Sequence, residues 1–468
     1  MQRAVLGLAA LLGCAGQSPA VTAPATTVAR EPGVPAAQEP APAGSEPPGT
    51  RTATPAEAEL FAKLLRETES LRGLRFRRTV TLTVQTAEAI ATTLTADLDA
   101  EDLEETRFVY VTLGLLAPDT DVRALLASVV ADQVVGYYDT RRKRLVVRED
   151  VLGALREPGD GEAQMVLVHE LVHALQDQHF GLPDEEDELD SDAANAVRSL
   201  AEGDATLAMV VRGALRAGGL APDSAAPAVR RALMGQVAGR LGELETEALM
   251  ATFAAPGQTA LAEAPTILRT TLVMPYLYGL RFAARLARGT GDFATVDTAY
   301  GRRPGTTEQV MHPERYLAGE GADRLAFPPL PAFDAAGWRE VTEDTLGELE
   351  LGVFLGRGGA APGRGGVDRS AAEGWSGDRL RVLRRGEAGA ALWLTSWDDA
   401  REAQEAEAAA RVAGAAAVRR GRGLLLMLGL SDDERRQARG VLEAVLDALP
   451  AQPPRGPGSG ASPTPGAR

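Results

Sequence analysis

Aromatic side chains are scarce in this chain, at 4% of 468 residues. Any sizeable core must therefore be built from Leu, Val and Ala, and a hydrophobic content of 45% is enough to build one. There is 1 cysteine, which excludes an intrachain disulfide framework. Basic residues are outnumbered: 49 Lys and Arg stand against 65 Asp and Glu, for a formal net charge of −16. Nothing basic is concentrated enough to track phosphates, which argues against nucleic acid as a partner. No apolar run reaches the roughly 20 residues that a membrane-spanning helix needs. Histidine is almost as rare as cysteine, with 4 in all.

Two of those histidines fall within five positions, in Val168-His169-Glu170-Leu171-Val172-His173-Ala174. This is an HExxH string. On a helix, His169 and His173 sit one turn apart on one face, where both imidazoles can bind one Zn²⁺ and Glu170 can handle a water proton. A catalytic zinc takes three protein ligands and keeps one position open. The best third ligand is Glu202 in Ser199-Leu-Ala-Glu-Gly-Asp-Ala205; Asp204, Glu308 and His312 are the alternatives. His179 lies about 80° round the helix from His169 and is poorly aimed at the same ion. The acidic run Asp184–Asp192 lacks an EF-hand pattern and reads as a solvated loop.

The cysteine is informative by its place. Residues 1–13 carry Arg3 and a short apolar stretch, as a secretory signal does, and end Leu11-Leu12-Gly13 before Cys14. That string resembles a bacterial lipobox, in which the signal is cleaved before the cysteine and the sulfur is lipidated. An ordinary signal cleaved near Ala20 is the other reading. With Cys14 lipidated, the chain is exported and anchored at the cell envelope. Ala15, where inner-membrane lipoproteins usually carry Asp, favours the outer membrane in a cell that has one.

Residues 14–55 are rich in Ala, Pro, Thr and Gly and read as a flexible tether, and 450–468 as a similar tail. Ordered structure is expected from Ala56. Helices are predicted over Ala56–Arg72, Thr86–Glu105, most of Thr112–Ala131, Glu162–His179 and from Ala193, with a strand over Phe76–Val84. Gln133–Asp139 and Arg144–Arg148 read as a hairpin. These elements make a mainly helical domain over 56–330. After it comes a C-terminal region, 331–449, with strand-like runs at 380–383, 391–395 and 424–428 and helices at 398–412 and 431–449. The fold class is α+β. Trp375, Trp393 and Trp397 are assigned to the core of the C-terminal unit.

HELVH with a downstream EGDA glutamate resembles the gluzincin zinc metallopeptidases. More narrowly, the chain is similar to poorly characterised bacterial proteins that share QVVGYYDT (133–140), HELVHALQDQHF (169–180), AEGDAT (201–206), MPYLYG (274–279), TEQVMHPERY (307–316) and GWSGDR (374–379). The resemblance implies a zincin-like domain with a small sheet or hairpin at the cleft edge, one zinc held by His169, His173 and Glu202, and Glu170 as general base. The gap from His173 to Glu202 is longer than in thermolysin-like members, and Asp204 follows the glutamate too closely to match their histidine-orienting Asp. The resemblance also makes the hairpin, Val134–Asp139 or Leu145–Arg148, a candidate edge for an extended peptide. His312, Tyr316, Tyr278 and Arg281 are candidates to stabilise the oxyanion of peptide hydrolysis. The expected function is a membrane-anchored extracytoplasmic zinc metallopeptidase acting on a peptide or protein substrate. Its rivals are an envelope assembly or chaperone-like lipoprotein that keeps the peptidase fold, and a zinc hydrolase of non-peptide amides.

Overall fold

A computed structural model describes residues 46–96, 98–154, 161–182, 189–244, 263–358 and 369–451. Cys14, the signal-like segment, most of the 14–55 tether, most of the 184–192 acidic run and most of the tail lie outside those residues. The chain is α+β, with two sheets set among helices. No described helix is long and apolar enough to cross a membrane.

The first sheet has the order β1-β2-β4-β3, from β1 (Thr50–Thr52), β2 (Thr81–Gln85), β3 (Gly136–Asp139) and β4 (Arg144–Arg148). β2 and β4 run parallel, and the other pairs are antiparallel. Order thus begins before the expected Ala56. β1 buries little, but it pairs with β2, Thr50 opposite Gln85, and Glu46 accepts from Arg144 at 2.7 Å. Edge pairing rather than apolar burial orders this stretch, which is why composition concealed it. Helix α1 (Pro55–Arg72) follows, closed by a Thr54–Glu57 capping box and by Gly73 at φ 70°.

The strand expected over Phe76–Val84 starts only at Thr81, because the amides of Arg77 and Arg78 donate to Gln178 Oε1 at 2.7 and 2.9 Å. The long helix expected over Thr86–Glu105 is two: α2 (Ala87–Ala96) and α3 (Ala100–Thr112), the second capped by Asp99. After α4 (Val122–Gln133) comes the predicted hairpin β3–β4, with Asp139 opposite Arg144. Short α5 (Glu149–Ala154) leads towards α6 (Gly161–Phe180), which carries the HExxH string. Helices α7 (Ser191–Ala217), α8 (Pro227–Leu241) and α9 (Thr266–Ala287) pack with α6 over a core that includes Val168, Leu171, Leu200, Leu207 and Phe282. Three short helices complete this half, α10 (Ala294–Gly301), α11 (Thr307–Met311) and α12 (Pro313–Ala318), while α13 (Pro331–Ala335) sets Phe333 in a core of the second sheet.

The second sheet is antiparallel, in the order β5-β6-β7-β9-β8. Its strands are β5 (Arg339–Asp344), β6 (Trp375–Arg385), β7 (Ala388–Trp397), β8 (Ala416–Arg420) and β9 (Gly423–Leu428). Helix α14 (Gly347–Leu355) precedes β6, α15 (Ala400–Val412) follows β7, and α16 (Asp432–Asp447) follows β9. Both faces are covered. Trp393, Trp397, Leu424 and Leu426 face one core, and Leu392, Leu394, Leu425 and Met427 the other, which explains the unbroken apolar run of β9.

The first of these cores also takes in Leu94, Phe108, Tyr110, Leu126 and Phe354. Helices α2 to α4 therefore share a core with the C-terminal sheet, and packing does not divide at the expected 330/331 boundary. The chain excursion between β2 and β3 leaves the first sheet to cover the second. Periodicity shows that a helix has an apolar face but not which partner covers it.

Candidate metal centre

The centre is built on α6 and α7. Helical spacing puts His169 and His173 on one face of α6, their rings 4.7 Å apart and edge to face. Glu202, on the facing turn of α7, lies 3.1 Å from His169 Nε2 and 3.4 Å from His173 Nε2, and the two Nε2 atoms are 3.0 Å apart. All three side chains are buried. Burial works to raise the Glu202 pKa, but the adjacent His173 and His169 hold it down at about 2. Burial lowers that of His169.

The motif residues explain how α7 comes this close. Gly203 meets Gly279 of α9: a Cβ on Gly203 would stand 2.0 Å from the Gly279 carbonyl, and one on Gly279 would stand 2.0 Å from Ser199 O. Only glycine permits that crossing. Four residues before Gly279, Pro275 has no N–H to offer the Thr271 carbonyl one turn back. Arg198 donates to that carbonyl instead, and it sits one turn before Glu202 on α7. The freed carbonyl and the glycine contact together fix the height of Glu202 against the histidines. Tyr276, also in this string, stacks on His169 with ring centroids 5.9 Å apart and planes 21° apart.

Glu170 is buried beside this triangle, and its Oε2 accepts the Tyr138 backbone N–H at 3.1 Å. Burial, with the charge of Glu202 adding and His173 opposing, raises its pKa to about 8. The β3 edge is therefore in contact with the HExxH glutamate. Arg148 N donates to Val135 O at 2.9 Å, so the alternation of the ladder turns the backbone groups of Gly136 and Tyr138 away from β4, towards α6.

Carboxylate and imidazole atoms of His169, Glu170 and His173 all lie within 4.8 Å of one another. Of the two carboxylates available, Glu202 is the better third ligand, since it approaches both imidazoles while Glu170 is tied to the β3 amide. A tetrahedral ion with ligand bonds of about 2.0–2.1 Å separates its ligands by about 3.3–3.4 Å. The observed 3.0, 3.1 and 3.4 Å fit that requirement within a small adjustment. Two imidazoles and one carboxylate are also a donor set that suits zinc.

The remaining candidates have other partners. Asp204 accepts from Gln176, Tyr300 and Arg72 rather than joining the triangle. His179 lies 2.7 Å from the Arg75 carbonyl, as a helix-terminal histidine. Glu308 lies 3.2 Å from Arg315. His312 joins α11 to α12 and pairs with Glu348 of α14 at 2.9 Å. Tyr316 donates to Arg302 O at 2.8 Å and packs edge to face on Phe282, in a structural role. Tyr278 is buried near Arg369. Tyr276 and Gln176 were missed. The stride of four from Pro275 to Gly279 marks one face of α9, but nothing in it singles out Tyr276. Gln176 is three residues from His173, a helical neighbour that residue type alone does not flag.

A family model described as a domain of unknown function (DUF8575) matches residues 334–437. That span holds the second sheet and leaves the HExxH segment outside it. No curated protein and no solved structure matches the chain.

Proposed function

We propose that this chain is a zinc metallopeptidase of the gluzincin type, with His169, His173 and Glu202 holding one zinc ion and Glu170 as general base. The observation that carries the reading is the convergence of His169 Nε2, His173 Nε2 and Glu202 Oε2 within 3.0–3.4 Å in a buried site. One ring proton can join only a pair of these atoms, whereas a cation shared among them satisfies all three. Zinc in that position supplies a Lewis acid that brings a water near neutral pKa and polarises a carbonyl. Glu170, beside the two imidazoles, takes the water proton in its ionised form and delivers it to the leaving amine. The outward backbone groups of Gly136 and the Tyr138 carbonyl offer an edge to an extended peptide, the Tyr138 N–H being held by Glu170.

The test is metal content and peptide cleavage of the purified chain and of Glu170→Gln. About one zinc per chain is expected in both, with cleavage falling by about 10²-fold or more in the variant. Metal-free protein, or equal cleavage by the variant, would refute the reading. Zinc without cleavage of any peptide would point instead to the assembly-factor alternative.

We also propose that Cys14 is lipidated and anchors an exported chain at the cell envelope. Cys14→Ser is expected to move the protein from the membrane to the soluble fraction. Unchanged partitioning would contradict the anchor.

A further inference from the structure

We propose that Gln176 and Asp204 are positioning residues that fix His173 in the Nδ1–H tautomer, so that its Nε2 lone pair faces Glu202. This rests on the metal reading above only for its consequence, since the tautomer belongs to the protein itself. The argument starts from the amide of Gln176. Its Nε2 lies 3.0 Å from the Ala201 carbonyl and 2.9 Å from Asp204 Oδ2. The carbonyl is an acceptor only, and so is an ionised carboxylate, so both contacts require the NH₂ group. That settles the amide orientation on chemical grounds rather than by convention. Gln176 Oε1 is then the atom 2.8 Å from His173 Nδ1, and it can only accept. Nδ1 must carry a ring proton, and in the neutral ring Nε2 is then the lone-pair atom beside His169 Nε2 and Glu202 Oε2.

Asp204 is in turn held from three sides. Besides Gln176 it takes the Tyr300 hydroxyl at 2.9 Å and Arg72 Nη2 at 3.1 Å, while Arg72 Nε lies 3.0 Å from its other oxygen. Arg72 also donates to Asp297 at 2.6 Å and lies over the Phe293 ring at 4.3 Å. Tyr300 stacks on Phe180, with centroids 4.3 Å apart. Helices α1 and α10 thus reach His173 through one carboxylate and one amide. A neutral amide stands where a carboxylate commonly orients a metal-binding histidine. Gln176 accepts the Nδ1 proton without placing a second negative charge against Asp204.

The first test needs no variant. In metal-free protein labelled with ¹⁵N-histidine, His173 is expected to show a protonated Nδ1 and a bare Nε2. With 4 histidines in the chain, a His173→Asn control identifies its signals. A bare Nδ1 with protonated Nε2, or rapid mixing of both tautomers, would overturn the proposal. Gln176→Leu keeps the bulk and removes all three contacts, to Ala201, Asp204 and His173. It is expected to release the tautomer preference and weaken zinc binding, read by competition with a chromophoric chelator, by about 10- to 100-fold. Gln176→Glu combined with Asp204→Asn keeps an acceptor opposite Nδ1 and a donor between the two side chains but leaves the Ala201 carbonyl without its donor, so it should restore the Nδ1–H tautomer and part of the zinc affinity. If the exchange variant is no better than Gln176→Leu, the relay is wrong even though both fold. The two readings can fail separately. A chain that binds no zinc but holds His173 as the Nδ1–H tautomer loses the proposed function and keeps the relay. One that binds zinc through the opposite tautomer does the reverse.

Discussion

Two buried carboxylates, Glu202 in the helical half and Asp378 in the C-terminal sheet, show how differently the two regions use the same group. Asp378 is saturated by donors. It accepts the backbone N–H of Gly347 and the Trp375 indole on one oxygen, and those of Leu346 and Trp393 on the other, at 2.8–3.1 Å. Glu202 instead faces two imidazole Nε2 atoms, at 3.1 and 3.4 Å, each a donor or an acceptor according to its tautomer. Burial is equal in degree, since both residues are almost wholly enclosed. Under the proposed zinc reading, what separates the structural carboxylate from the ligand is the kind of atom around it. Donors close the account internally; acceptors leave room for a cation. By the same rule the tryptophans of the C-terminal unit are structural, since two of their indole N–H groups serve Asp378.

The largest effect expected from breaking this contrast is at the helix crossing. Gly203→Ala puts a methyl 2.0 Å from the Gly279 carbonyl, so α7 and α9 must separate. A loss of about 3 kcal/mol is expected from overpacking, only partly offset by the better helix propensity of Ala. Calorimetry and chelator competition should show a lower melting temperature and weakened zinc binding together; a stable variant with full affinity would show that the crossing does not set Glu202.

A smaller effect is expected in the other region. Trp393→Phe removes one of the four donors to Asp378 and should cost about 1–3 kcal/mol in denaturant unfolding. Zinc affinity should stay at the parent value, and a change would mean that the two regions are coupled.

The smallest effect is a slope with pH. Burial raises the Glu308 pKa to about 9, with Glu348, Asp398 and Asp192 adding to it against Arg315. Burial likewise raises that of Asp378 to about 6 against its hydrogen bonds. The folded chain therefore holds protons that the unfolded chain releases near pH 4–4.5. The stability this confers is complete below the unfolded values and is lost as pH rises through the folded ones. Melting temperature in the metal-free chain should fall from about pH 4.5 to about pH 9, and Glu308→Gln should flatten that fall. An unchanged slope in the variant would clear Glu308 of the effect. Glu202, held at about 2, has the opposite sign and acts only at lower pH.

Much of the site was legible in advance because its spacing is local. His169, Glu170 and His173 are one turn of one helix, and the helix was marked by its apolar period. Glu202 was legible as a residue type at a plausible distance, yet its choice over Asp204, two residues on, depends on which face of α7 meets α6. The hairpin was marked by alternation and a polar turn, whereas its contact with Glu170 was not. β1 was hidden because it is ordered by pairing, and the excursion α2–α4 was assigned to the wrong neighbour because an apolar face does not name its partner. Gln176 carried no signal at all until its acceptors were in place.

The sequence by itself determined the donor types, the helical stride that places both imidazoles on one face, and the alternation of the sheet strands, because these follow from covalent geometry over a few residues. Only the tertiary structure decided which carboxylate completes the triangle, which way the Gln176 amide points and which tautomer His173 adopts. Those choices depend on atoms brought together from α1, α6, α7, α9 and α10, and no local rule of the chain fixes their distance.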